Sequence, residues 1–151
     1  MSTRALVLDA NILIRAALGP RVRQLVADGG TVISMFAPRC AYDDARRYVP
    51  DLLVGRGLDP GDALAVLDAI ETAVVPQPPA AYEAWRAEAL ERIADRDADD
   101  WPILALSLAL DCPIWTQDQD FFGTGVPTWT TDRVEIFFRH ARSTRGMPSG
   151  A

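Results

Sequence analysis

The chain has 151 residues, enough for one compact domain with its own core, and its 49% hydrophobic content lies in short blocks, none approaching the ~20 apolar residues that span a bilayer. A net charge of −6 argues against a broad basic surface for polyanions, since phosphate affinity comes from clustered cations. All 15 basic residues are arginine and the only histidine is His140, which excludes lysine-dependent phosphate loops and Schiff bases and argues against histidine-based triads and zinc sites.

Ala5 to Leu8 is an apolar run ending at Asp9, and NILIRAAL continues at helical spacing to Pro20, so a strand feeds a helix. Arg21 to Asp28 reads as a second helix closed by Gly29 and Gly30, and Thr31 to Ser34 as a second strand. From Arg39 to about Arg56 the apolar positions Ala41, Ala45, Tyr48, Val49, Leu52 and Leu53 predict a long helix, and Pro60 to Val74 repeats the pattern. VVPQPP is an extended link, and Ala80 to Ile93 a charged amphipathic helix leading into DRDADD. ILALSLAL is apolar almost all round, which predicts a covered helix from Asp100 to Leu110. A strand from Pro113 to Thr116, a turn holding Asp118 and Asp120, a strand from Val126 to Thr130 and a helix from Asp132 to Arg139 complete the order.

This alternation implies an α/β fold, a single domain over residues 1–138 with a central, mainly parallel sheet flanked by helices on both faces. Residues 139–151 lack periodicity and are expected to form a mobile tail. The two cysteines, Cys40 and Cys112, suggest neither a disulfide framework nor a thiolate metal cluster, and MSTRALVLDAN lacks the pattern of a cleavable signal, so a cytoplasmic setting and no membrane are expected.

Ligands of such sheets gather outside the carboxyl ends of the strands. Asp9 and Asp118 each follow a strand and belong at that edge. Asp100 opens a crossover helix and Asp44 lies early in another, so both return to the same edge. Asp43 is the rival of Asp44, but adjacent helical residues point about 100° apart, and Asp44 shares a face with Ala41, Ala45 and Tyr48. Carboxylates brought together repel unless they share protons or surround a cation. An all-oxygen set suits Mg2+ or Mn2+, and a metal can activate water for phosphate chemistry without a histidine base.

LDANILI, an acid early in a helix, DRDADDWPILALSLAL and IWTQDQDFF resemble the successive motifs of PIN domains, especially the bacterial VapC-type toxins, over about Leu6 to Phe138. The resemblance places Asp9, Asp100 and Asp118 on the family's acids and Asn11 on its polar neighbour, with Asp44 where the family usually has glutamate. It implies an endoribonuclease that leaves a 5′-phosphate and a 3′-hydroxyl, and a toxin with a cognate antitoxin. Asp120, Thr116, Asp43 and Asp99 are auxiliary candidates, and Arg15, Arg46, Arg47 and Arg96 are candidates for holding RNA phosphates. The expected partners are single-stranded or loop RNA, an antitoxin and a second copy of the chain.

Bland readings stand beside these. Asp100 suits a helix cap, Asp118 and Asp120 suit a turn, and exposed helical arginines usually pair with acids. Two alternative functions remain open: a catalytically degenerate PIN fold that binds protein, and a phosphatase with Asp9 as nucleophile. The second is disfavoured by Asn11 and the missing lysine.

Overall fold

The structure is a computed structural model that describes residues 4–145. Strands β1 (Ala5–Leu8), β2 (Ser34–Pro38), β3 (Val74–Gln77), β4 (Ile114–Trp115) and β5 (Thr128–Trp129) form one sheet in the order β3-β2-β1-β4-β5, with every neighbouring pair parallel. The helices are α1 (Ala10–Leu18), α2 (Pro20–Gly29), α3 (Arg39–Gly55), α4 (Gly61–Ile70), α5 (Arg86–Ile93), α6 (Trp101–Leu110) and α7 (Val134–Arg145).

Helices α1 to α4 pack on one another, and α5 packs on α6, which lies against β1 and β2. The crossovers β1-β2 and β2-β3 step one way along the sheet while β3-β4 steps back, and right-handedness then puts the two helix groups on opposite faces. The sheet is thus covered on both sides, and α6, which packs on β1 and β2 and also on α5, carries apolar residues around its whole circumference, with Ile103, Leu104, Ala105 and Leu106 buried. Asp111 ends α6 in the left-handed region at φ 51°, and its backbone N–H closes the helix on Ser107 and Leu108. No helix among the described residues is long and apolar enough to cross a membrane.

Four segments depart from the sequence expectation, the first being the helix expected to Val74, which ends at Ile70 because β3 starts at Val74. The second strand starts at Ser34 rather than Thr31, because the chain first makes a turn in which the Thr31 amide bonds to Asp28 and the Val32 and Ile33 amides bond to Gly29. The helix expected from Ala80 begins at Arg86, since Pro78 and Pro79 start the segment as short 3₁₀ turns over Pro79–Ala81 and Glu83–Trp85. The final helix begins at Val134 and does not stop at Arg139 but continues to Arg145, so the tail expected from residue 139 is helical that far. Val134, Phe137, Phe138 and Ala141 supply its buried stripe. Residues 146–151 of the expected tail lie outside the described residues.

One contact shows how tightly α7 is seated. A Cβ added to Gly29 on α2 would lie 2.5 Å from Cζ of Phe138. That ring is itself buried edge-on against Trp115, with centroids 6.1 Å apart, so it has little room to yield. Gly29→Ala is expected to cost about 1–3 kcal/mol in urea unfolding by overpacking, with partial recovery in the Gly29→Ala, Phe138→Leu double variant.

Candidate functional site

Asp9 sits immediately after β1 and caps α1, its Oδ1 accepting a 2.9 Å bond from the Ile12 amide. The parallel pairing of Leu8 with Trp115 brings the next residue on each strand together, and Thr116 donates its hydroxyl to Asp9 Oδ2. The same hydroxyl oxygen accepts from the Asp118 amide at 2.9 Å, so the fully buried Thr116 links the ends of β1 and β4. Asp118 opens the 3₁₀ turn Gln119–Phe121, and its Oδ1 accepts from the Asp120 amide at 2.9 Å. Burial pushes the Asp9 carboxyl up to about 6; the bonds from Thr116 and Ile12 oppose this, the Asp118 charge adds to it and Arg15 counters it.

Asp100 stands at the start of α6 but makes no side-chain bond to the helix end, so capping is not what its carboxyl does. Its Oδ2 is buried without a hydrogen-bond partner. Burial, then the charges of Asp97, Asp118 and Asp9, push it up to about 7. Asp9, Asp100 and Asp118 therefore act on one another at the carboxyl edge of the sheet. A further set, Asp97, Asp100 and Asp120, offers carboxylate oxygens all within 4.8 Å of one another. Asp97 reads in the sequence as a solvated or capping residue, and its Oδ1 accepts from the Asp99 amide at 3.0 Å. Its i, i+3 spacing from Asp100 was the available signal.

Asp44 and Asp100 line one small cleft together with Ala10, Cys40, Ala41, Asp99, Pro102 and Ile103. Asp44 is nevertheless at the rim, 57% exposed and bonded to Arg47 Nη2 at 2.7 Å. The expected inward face of α3 is corrected here: the buried residues are Ala41, Tyr42, Ala45 and Val49, whereas Tyr48 is 52% exposed. Tyr42 takes the core position because its hydroxyl reaches the Val74 carbonyl at 2.5 Å. Asp43 is exposed and is not among the residues lining the cleft.

The four candidate arginines have different surroundings. Arg46 pairs with Asp68 at 3.0 Å and Glu71 at 2.7 Å on the α4 side, and Arg47 pairs with Asp44. Arg15 donates from Nε to Asn11 Oδ1 at 3.0 Å, near Asp9. Arg96 donates to the Asp120 carbonyl at 2.7 Å and to the Phe122 carbonyl, while Arg92 donates to the Thr124 carbonyl at 3.0 Å. Arg92 and Arg96 thereby hold the loop that carries Asp118 and Asp120. Gly123 and Gly125 in this loop adopt φ of 83° and 87°, and a Cβ would meet Arg96 Nη2 at 3.1 Å and Arg92 Nη1 at 2.8 Å.

Arg96→Ala is expected to lower stability by about 1–2 kcal/mol in urea unfolding, with amide exchange accelerated selectively over residues 118–125. Uniform acceleration across the chain would contradict a local clamp.

The arrangement is an oxygen-only set of clustered, partly desolvated carboxylates with one buried oxygen left unbonded. These features fit a hard divalent cation, which supplies both the missing partner and the missing positive charge. A family model described as PIN domain matches residues 7–139. No curated protein and no solved structure matches the chain.

Proposed function

The chain belongs to the PIN-domain family, whose members are generally nucleases, and from that premise we propose that it is a metal-dependent endoribonuclease. The observation that carries this reading is the unbonded Asp100 Oδ2 within a group of mutually repelling acids. Asp9, Asp100 and Asp118 would hold Mg2+ or Mn2+, with Asp97 and Asp120 beside them; such an ion, when bound, lowers the pKa of water and offsets charge on a phosphate.

The chain's own groups set the geometry. Thr116 orients Asp9 and the Asp118 backbone together, the Ile12 amide fixes the other Asp9 oxygen, and Arg92 and Arg96 anchor the turn after β4. Asp44 faces the same cleft from α3 and is assigned a supporting part, because Arg47 already engages it. The VapC-like run from Asp95 to Glu135 supports a toxin role with a cognate antitoxin as partner.

The phosphatase alternative fits less well, since both Asp9 oxygens already accept hydrogen bonds, from Ile12 and Thr116, which weakens a nucleophile. A degenerate, protein-binding PIN domain draws support from the Asp44–Arg47 pair alone.

The test is cleavage of structured and single-stranded RNA with Mg2+ or Mn2+, repeated with EDTA and with Asp9→Asn. Loss of cleavage in both controls is the expected result. Activity unchanged by chelation and by the substitution would reject the mechanism, and hydrolysis of a small phosphoester without RNA cleavage would favour the phosphatase.

A further inference from the structure

We propose that the groove between α1 and α3 is a nucleotide subsite of the carboxylate centre: a base of the RNA strand stacks on Tyr48, and the adjoining phosphate is held by Arg15. This rests on the ribonuclease reading above and names where its substrate lies.

Asn11, Ile14, Arg15 and Leu18 from α1 and Tyr48 and Leu52 from α3 line a groove of about 470 Å³. That is within the range of roughly 300–1,000 Å³ typical of small-molecule pockets. The groove is built on α1 and α3, the same two helices that give Ala10, Cys40, Ala41 and Asp44 to the cleft at Asp100. Asn11 is two residues beyond Asp9 on α1, and Tyr48 is one helical turn, about 6 Å, beyond Asp44 on α3. A strand whose scissile phosphate sits at the acids therefore has its neighbouring nucleotide at this groove.

Tyr48 is 52% exposed, and among the described residues no aromatic ring or guanidinium covers its face. An uncovered ring over an aliphatic floor of Ile14, Leu18 and Leu52 offers what a base requires, a flat apolar surface independent of sequence. Arg15 supplies the charge. Arg46, Arg47 and Arg92 are each neutralised by carboxylates, at 2.6–3.0 Å, whereas the Arg15 guanidinium is held by the amide oxygen of Asn11. In a chain of net charge −6 this leaves a local positive centre beside the acids.

The experiment measures binding of a short labelled single-stranded RNA by fluorescence anisotropy, using the full chain carrying Asp118→Asn to prevent turnover. Adding Tyr48→Ala is expected to weaken binding about 5- to 150-fold, the range that base stacking on an aromatic side chain supplies, while Tyr48→Phe leaves it within about twofold. Adding Arg15→Gln is expected to reduce the slope of log affinity against log salt by about 0.7, one phosphate contact on a single strand. In chains that retain Asp118, Tyr48→Ala raises KM more than it lowers kcat. Unchanged RNA affinity in Tyr48→Ala would overturn the subsite, and if the unaltered chain still cleaves RNA, the ribonuclease reading stands without it. Tyr48-dependent RNA binding by a chain that cleaves nothing would retain the subsite and sink the nuclease reading. A change of oligomeric state on size exclusion in Tyr48→Ala, with RNA affinity unaltered, would assign the groove to protein contact and overturn the proposal.

Discussion

Asp100→Asn and Asp118→Asn are each expected to lower the rate of RNA cleavage by about a thousandfold or more, equivalent to roughly 4 kcal/mol of transition-state stabilisation. Each removes a negative charge from a group of acids that already act on one another through the charges of Asp9, Asp97 and Asp118 around Asp100. An amide keeps the size of the side chain, so the local packing survives while the affinity for a divalent cation falls. Graded substitution then separates the two overlapping sets of acids. Asp44→Asn should cost far less, about tenfold, because Asp44 lies at the rim and is bonded to Arg47. Asp97→Asn and Asp120→Asn should fall between, since their oxygens approach Asp100 within 4.8 Å but neither acts on Asp9 as Asp118 does. Single-turnover kinetics at saturating Mg2+ or Mn2+ measure all of these. Equal and small losses at Asp100, Asp118 and Asp44 would remove the case for a cation held by these acids.

The second large effect is on stability. Without a divalent cation the chain is expected to lose stability as the pH rises from about 4 towards 8 on account of Asp9 and Asp100, whose carboxyls ionise near 6 and near 7 rather than near 3.8. Between those limits the folded chain holds protons that the unfolded chain has released, so the slope of unfolding free energy with pH is negative. The contribution of each group is complete below about 3.8 and lost as the pH passes its folded value.

For Asp9, only 6% exposed, the displacement from 3.8 to about 6 corresponds to roughly 2–3 kcal/mol. Asp100 is less deeply buried and is screened by water, so its share is smaller. Thermal unfolding at pH 5 and pH 8 with EDTA tests this. Asp9→Asn should stabilise the metal-free chain at pH 8 and flatten the profile, and millimolar Mg2+ should stabilise the unsubstituted chain more at pH 8 than at pH 5. A profile that Asp9→Asn leaves unchanged would count against the burial argument.

Much of the fold was legible because its signals are local. The apolar run to Leu8, the spacing of α1 and α3 and the all-round apolar α6 follow directly from residue pattern, and strand-helix alternation then gives a parallel sheet. The edge position of Asp9 and Asp118 follows from the same geometry, and the structure brings Asp100 to them. What sequence spacing missed was decided over distance. Tyr42 rather than Tyr48 enters the core because of a carbonyl 32 positions away on β3, and Arg46 is claimed by Asp68 and Glu71 on a later helix. Arg96, read as a residue for RNA phosphates, grips backbone carbonyls more than 20 positions later. Helix α7 outruns its expected end as its apolar stripe continues past Phe138, which packs on Gly29 and Trp115, to the fully buried Ala141.

The central pairing of β1 with β4 has a consequence for how the protein comes into being. Asp9 and Thr116, joined in the folded chain, are separated by 107 positions, an interval of about 5–20 s at ordinary rates of synthesis. Until β4 has left the ribosome, β1 lacks one of its two neighbours and Asp9 lacks the hydroxyl that orients it. The acids are therefore brought together only once β4 has been made, and no shorter nascent chain can assemble the folded site.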